Sequence, residues 1–292
     1  MSYTNPPVDE QVNLPQEHPL WEFSWMLVAV GVLVVVLVLG ITFGTHWLIR
    51  YVPIEYEARL VKVSGLLDAV EEASAPVDAS SEQTRRVRVE QYLQGLADRL
   101  IASNERSPAP TVRVHLVATE SVNAFATLGG NIFIHQGLLD QLQTEQGLAM
   151  VLGHEIAHID HRDPITTLGR ELAFRVALTL LTGIAEQGTA GYLVETTGGS
   201  LLLNFSREQE RAADEAALDN LVELYGHPFG SSEFFDYIAT SEAVDGAGVP
   251  VFLQTHPGVQ ERQAYIESYA ARYEPQAAPL TDLPPYLRSP SP

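Results

Sequence analysis

Five residues, His154-Glu155-Ile156-Ala157-His158, combine side chains and a spacing that could do chemistry together. On an α-helix each residue turns about 100°, so His154 and His158 would stand about 40° apart around the axis and about 6 Å apart along it. Two imidazoles so placed can grip one metal ion. Glu155 falls about 100° round from His154 and about 60° from His158, so its carboxylate flanks the ion instead of pointing straight at it. Two neutral imidazoles and one further ligand leave Zn²⁺ an open fourth position, and the neighbouring glutamate can take the proton of a water there. The same three fixed positions recur by accident in roughly one in a hundred unrelated chains of this length, as two helix histidines satisfied by ordinary hydrogen bonds. Context has to decide.

The chain has no Cys, so disulfides, thiolate ligands and cysteine nucleophiles are excluded and any metal must be held by His, Asp or Glu. A third ligand is on offer in Ser206-Arg207-Glu208-Gln209-Glu210-Arg211-Ala212-Ala213-Asp214. Glu210 and Asp214 are four apart on one helix face, among alanines small enough to admit a second helix. A carboxylate for the metal and another for the back of an imidazole fit this spacing. Alone, such an acid pair is common on solvated helices.

The elements that must position these groups follow from periodicity. Thr144 caps a helix that bears the two histidines, buries Leu148, Val151, Leu152 and Ile156, and ends before Asp163-Pro164. Asp163 as N-cap with Pro164 at the first position starts the next helix. The second helix runs from Ser206 through Ala217, Leu218 and Leu221 to a stop at Gly226-His227-Pro228. Upstream, Ser80 with Gln83 forms a capping box, and Val89, Tyr92, Leu93, Leu96 and Leu100 repeat at helical spacing. Pro108 and Pro110 break the chain; Val112, Val114 and Leu116 alternate as a half-buried strand. Two further short strands flank Leu128-Gly129-Gly130 as a hairpin, whose edge could offer free N–H and C=O groups to an extended peptide. His161 reads as a helix terminus or a group behind the ligands, His227 as structural, and His115 and His135 as core or rim.

Taken together, HEIAH at 154–158, SREQERAAD at 206–214, His256-Pro257 followed by Arg262, and NAFATLGGNIFIHQGLL at 123–139 resemble the gluzincin metallopeptidases that include HtpX, BepA and the CAAX prenyl protease type 1. The resemblance covers roughly residues 85–272. It implies a mainly helical α+β zincin fold with a small sheet. It further implies one Zn²⁺ per chain held by His154, His158 and Glu210, with Glu155 as general base and Asp214 fixing the imidazole of His154. Asn123, Ala124, Phe125 and Ala126 would be the edge strand that holds a polypeptide substrate. His256 would sit on a loop near the metal, occupying the open position at rest or bonding the tetrahedral intermediate, and Arg262 would start the next helix and steady that loop. On the residues alone, His256-Pro257 is equally a plain turn at a helix start. Leu128 departs from the Pro that relatives often carry before Gly-Gly.

With 17 basic against 37 acidic residues the net charge is −20, a surface that repels nucleic acid. Residues 1–23 are polar, proline-bearing and read as a disordered tail. No formally charged residue occurs from Trp25 to Ile49, so residues 24–49 are expected to cross a bilayer once, with Trp21, Trp25 and Trp47 near the interfaces. Arg50, Arg59 and Lys62 follow the span and no Lys or Arg precedes it, which favours a cytoplasmic catalytic domain; the family resemblance allows a periplasmic one. Residues 50–81 are expected to supply a juxtamembrane strand and a linker, 82–273 the zinc metallopeptidase domain, and 274–292 a disordered Pro-rich tail. The apolar stretch Leu172–Leu203 carries Arg175, Glu186 and Glu195, which favours a buried or membrane-surface hairpin over a second span.

The resulting expectation is a single-pass zinc metalloendopeptidase of a bacterial inner membrane, acting on unfolded or membrane proteins in quality control. The alternative from another class is a membrane-tethered chaperone or scaffold with an unproductive zinc site. Nothing in the sequence bears on oligomeric state.

Overall fold

The apolar run folds as a single helix, α1 (Pro19–Ile49), and its window Leu20–Leu37 is long and apolar enough to cross a membrane. It starts five residues earlier than expected of a helix that follows a tail ending at residue 23: Pro19 to Phe23 are helical, with Pro at the position where its missing N–H costs nothing. The computed structural model describes residues 19–49, 53, 56–57, 59, 81–103, 111–171, 205–245, 252, 256–274 and 279–289. Residues 1–18, most of the linker with Ser80, and the Leu172–Leu203 stretch lie outside them. The strand expected over residues 50–63 is corrected where it is described, since Tyr56, Glu57 and Arg59 are helical.

Beyond α1 come α2 (Ser81–Ser103), β1 (Arg113–Val117), β2 (Ala124–Thr127), β3 (Asn131–His135), α3 (Gln136–Gln141) and α4 (Glu145–Asp160). A short helix α5 (163–171) follows, then α6 (Arg207–Tyr225), α7 (Glu233–Asp245) and α8 (Val259–Ala270). Helices dominate and one small mixed sheet accompanies them, as the α+β reading expects.

The sheet has the order β1-β3-β2, with β1 parallel and β2 antiparallel to β3, Phe125 lying opposite Phe133. The hairpin forms where it is expected because Gly129 and Gly130 both take positive φ, 72° and 77°. A Cβ on Gly130 would also run into the backbone oxygen of Thr111. Val114, Leu116, Ala124, Ala126, Ile132 and Ile134 bury one face in the core with Val89, Leu93, Leu96 and Leu100 of α2 and Leu148, Val151 and Leu152 of α4. On the opposite face His115, Phe133 and Phe125 stack across the three strands at 5.0 Å spacings. β2 has no strand on its outer side among the described residues, and it packs beside α4.

The C-terminal segment corrects the expected disorder after residue 273. Residues 279–289 lie along the turn before α4, where Glu145 donates its N–H to Thr281 O at 2.7 Å and Leu283 donates to Gln143 O at 2.8 Å. Leu283 and Leu287 are buried, 4% and 0% exposed, and the side chain of Gln136 donates to Leu287 O. These contacts are long-range, so the proline-rich local composition concealed them.

Candidate metal centre and active site

Two helices bring the site together. α4 begins at Thr144, whose hydroxyl accepts the N–H of Gly147 at 3.0 Å, and the carboxylate of Glu233 accepts from the backbone N–H groups of Gln143 and Thr144. α6 begins at a capping box between Ser206 and Gln209 and ends at Gly226 with φ 78°. The two helices pack along their lengths with Gly153 against Ala217: a Cβ at 153 would lie 3.4 Å from the Ala217 Cα. Small residues at this crossing let the acid helix reach the histidines.

His154 Nε2 and His158 Nε2 stand 3.0 Å apart. The Glu210 carboxylate reaches both, Oε2 at 3.5 Å from His154 Nε2 and Oε1 at 3.5 Å from His158 Nε2. His256 is fully buried and adds Nδ1 at 3.0 Å from Glu210 Oε1 and 3.4 Å from His154 Nε2. One donor atom from each of these four residues lies within 4.8 Å of the others. Ligand atoms about 2.0–2.1 Å from a tetrahedral Zn²⁺ stand about 3.3 Å from one another, so the observed separations suit one ion.

The outward-facing ring nitrogens strengthen the fit. His154 Nδ1 meets Asp214 Oδ1 at 2.9 Å and His158 Nδ1 meets Asp163 Oδ2 at 2.8 Å. Carboxylates accept, so each Nδ1 carries the hydrogen and each Nε2 keeps a lone pair. Two lone pairs 3.0 Å apart beside a carboxylate call for a cation between them. The same carboxylates draw positive charge to the site, as a metal ion between the lone pairs or, in its place, as a proton on His158. Burial opposes charge on His158, yet the carboxylates of Asp163 and Glu210 outweigh it and hold the imidazolium up to about 9. Burial would raise the Glu210 carboxyl too, and the imidazoles of His256, His154 and His158 hold it well below the usual range instead. Arg262 likewise outweighs burial at Asp214 and lowers that carboxyl to about 2.

Glu155 is wholly buried, and neither of its oxygens has a hydrogen-bond partner; His256 Nε2 stands 3.7 Å from Oε1. A buried carboxylate without donors is costly and marks a place where a water, an ion or a substrate group completes the set. Asn123, at the head of β2, is similarly buried with an unpartnered side-chain amide, while its C=O accepts from His135 N–H. Ala124, Phe125 and Ala126 follow it in the edge strand.

Arg262 lies in the first turn of α8, and its guanidinium turns to the two acids of α6. Its Nε and Nη2 each donate to an Asp214 oxygen at 2.8 Å, and Nη1 lies 2.6 Å from Glu210 Oε2. The guanidinium thus clamps the two acids of α6. The guanidinium also lies 5.7 Å from the ring of Phe252, which stacks on His256 at 4.4 Å, and the Arg262 backbone N–H donates to Gly258 O. His161 is the exposed C-cap of α4. His115 and His135 are half-buried on β1 and β3, and His227 is buried just beyond the C-cap of α6.

Three site residues escape the sequence reading. Asp163 reads locally as a helix cap, but its carboxylate goes to His158 and to the Nε2 of Gln209 at 2.6 Å. Gln209 passes as capping-box chemistry. Phe205 stacks on His158 at 4.0 Å, and its only sequence signal is its place beside the Ser206 cap.

Residues 87–270 match peptidase family M48. The putative beta-barrel assembly-enhancing protease of Vibrio cholerae is 29% identical over 203 residues, which cover 66% of this chain and 41% of that protein. The mitochondrial metalloendopeptidase OMA1 of Schizosaccharomyces pombe is 27% identical over 240 residues, covering 79% and 68%. The metalloprotease YcaL of Escherichia coli is 26% identical over 163 residues, covering 55% and 63%. The chain therefore spans about two fifths of the length of the beta-barrel assembly-enhancing protease and about two thirds of the other two. Both helices that converge on the imidazole pair lie inside the matched region, which takes in more than half of the sequence, and the chain belongs to peptidase family M48.

Proposed function

We propose that this metalloprotease is a zinc-dependent endopeptidase anchored by α1, and that it hydrolyses peptide bonds in membrane or envelope polypeptides during quality control. The observation that carries the reading is a buried Glu155 carboxylate that accepts no hydrogen bond, beside three converging metal donors, His154, His158 and Glu210. The substrate class is drawn from relatives whose names refer to β-barrel assembly and to mitochondria. Zinc bound there supplies a Lewis acid that polarises the scissile carbonyl and lowers the pKa of a water to about 7.

The residues divide the remaining work. The edge strand β2 pairs with an extended substrate through its free backbone groups, and the Asn123 amide supplies further bonds. Glu155 accepts the proton of the attacking water and returns it to the leaving amine. His256, close to both Glu155 and Glu210, donates to the developing oxyanion when its loop is displaced from the resting position. Asp214 and Asp163 hold the two imidazoles in the Nδ1–H tautomer, and Arg262 keeps Asp214 and Glu210 in place.

The test is purification of the full chain in detergent without chelators, followed by metal analysis and casein cleavage. One zinc per chain is expected, with Glu155→Gln keeping the metal while losing at least a hundredfold in rate. Cleavage by Glu155→Gln at the wild-type rate would remove the assigned base.

A second reading is favoured by one observation: His256 Nδ1 belongs to the same cluster, and four protein donors make a closed, structural site. A chaperone or scaffold of that kind would capture unfolded clients through β2 without turnover, in wild type and in His256→Ala alike.

A further inference from the structure

Glu57 belongs to neither of the helices that build the site, yet it touches two elements that shape it. It lies eight residues past the end of α1 at Ile49 and is 4% exposed. Its Oε2 accepts the backbone N–H of Gly129 at 3.1 Å, and its Oε1 pairs with the guanidinium of Arg162. Both partners have unusual backbones. Gly129 turns β2 into β3 at φ 72°, and Arg162, at φ 62°, is the one non-glycine residue with positive φ among the described residues. Arg162 closes the end of α4 by donating its N–H to Ile159 O, and it immediately precedes Asp163, which holds His158.

We propose that Glu57 is a positioning residue, a clip from the juxtamembrane segment that fastens the β2–β3 turn to the end of α4. The physical basis is mutual need. A left-handed conformation is disfavoured for a residue with a side chain, and it persists where the surroundings fix it; here the guanidinium of Arg162 is tied to a buried acid. The acid, in turn, is out of water and requires both a charge partner and a donor, which Arg162 and Gly129 provide. Through one partner the clip sets the end of the strand proposed to take substrate. Through the other it sets the turn that aims Asp163 at His158. The kinetic side of this proposal rests on the endopeptidase reading, whereas the structural side does not.

The test uses the full chain in detergent micelles, with backbone hydrogen exchange resolved at residues 128–131 and 160–164 and with peptide hydrolysis measured in parallel. Glu57→Ala is expected to speed exchange at least tenfold at both turns, to shift the thermal midpoint by only a few degrees, and to lower kcat/KM about tenfold. Glu57→Gln keeps an acceptor for Gly129 but no charge for Arg162. It is expected to keep the hairpin turn protected and KM near the wild-type value, while the 160–164 turn loosens and kcat falls. Unchanged exchange at either turn in Glu57→Ala overturns the clip, as does kcat/KM within twofold of wild type when both turns have loosened. Should Glu57→Ala fail to fold, the near-isosteric Gln variant decides on the same split between the two turns. A wild-type protein that cleaves no peptide would sink the endopeptidase reading, and the exchange pattern would still decide for or against the clip.

Discussion

Replacing Asp163 by Asn swaps one oxygen for an NH₂ group and turns an acceptor into a donor at a place where acceptors are needed on both sides. Asp163 accepts from His158 Nδ1 at 2.8 Å through Oδ2 and from Gln209 Nε2 at 2.6 Å through Oδ1. An asparagine can present its carbonyl to one of these donors, and its NH₂ then faces the other. If the carbonyl goes to Gln209, His158 must shift its hydrogen to Nε2, which withdraws the lone pair a metal would need. If it goes to His158, a buried amide pair is left donor to donor. Either choice is costly within a site where His158 is fully buried. Loss of such a carboxylate behind a ligating histidine typically weakens metal binding about 10–100-fold, or about 1.4–2.8 kcal/mol. The assay is competition for zinc with a chromophoric chelator, on the full chain in detergent, with His161→Gln at the exposed end of α4 as the control expected to match wild type. Zinc binding by Asp163→Asn as tight as wild type would refute the argument that this carboxylate selects the tautomer of His158.

Two more outcomes concern the parts that hold the scaffold. Leu287→Ala removes a side chain with no exposure from the docked C-terminal segment and should lower unfolding free energy by about 2–4 kcal/mol, read from urea midpoints; an unchanged midpoint would mean the segment adds nothing to the fold. His135 is lowered to about 4 by burial, against an ordinary value of 6.5, so the unfolded chain takes up this proton first as pH falls. Stability from this group is therefore present above about pH 6.5 and lost as pH falls toward 4, by about 1–2 kcal/mol between pH 7 and 5, and His135→Gln should remove that part of the slope.

The parts of the site legible in the sequence are those whose geometry is fixed within one helix. His154, Glu155 and His158 are related by helical spacing alone, and Glu210 with Asp214 by the same rule, so their faces could be stated in advance. The Gly129-Gly130 turn was legible because only glycine takes two successive positive φ values cheaply. Asp163 was hidden because a local rule explained it too well: an acid before Pro164 reads as a cap, and nothing local reveals that its carboxylate turns back to His158. The partners of Arg262 carry no local signal, since they lie on α6, 48 and 52 positions earlier. The same limit applies to Leu283, Leu287 and Glu57, whose burial comes from distant chain segments that no periodicity encodes.

If α1 spans a bilayer, the shortness of the connection between α1 and Glu57 sets how far the β2–β3 turn can stand from it. Eight residues fully extended reach at most about 29 Å. With α1 in a bilayer, the hairpin turn is leashed inside a thin slab of water next to the lipid surface. A polypeptide held in the same membrane would be confined to the same slab, which raises its local concentration beside the strand. On the proposed function, backbone pairing along a strand as short as Ala124–Thr127 then suffices for a chain emerging from the membrane even where it is too weak to hold one from dilute solution.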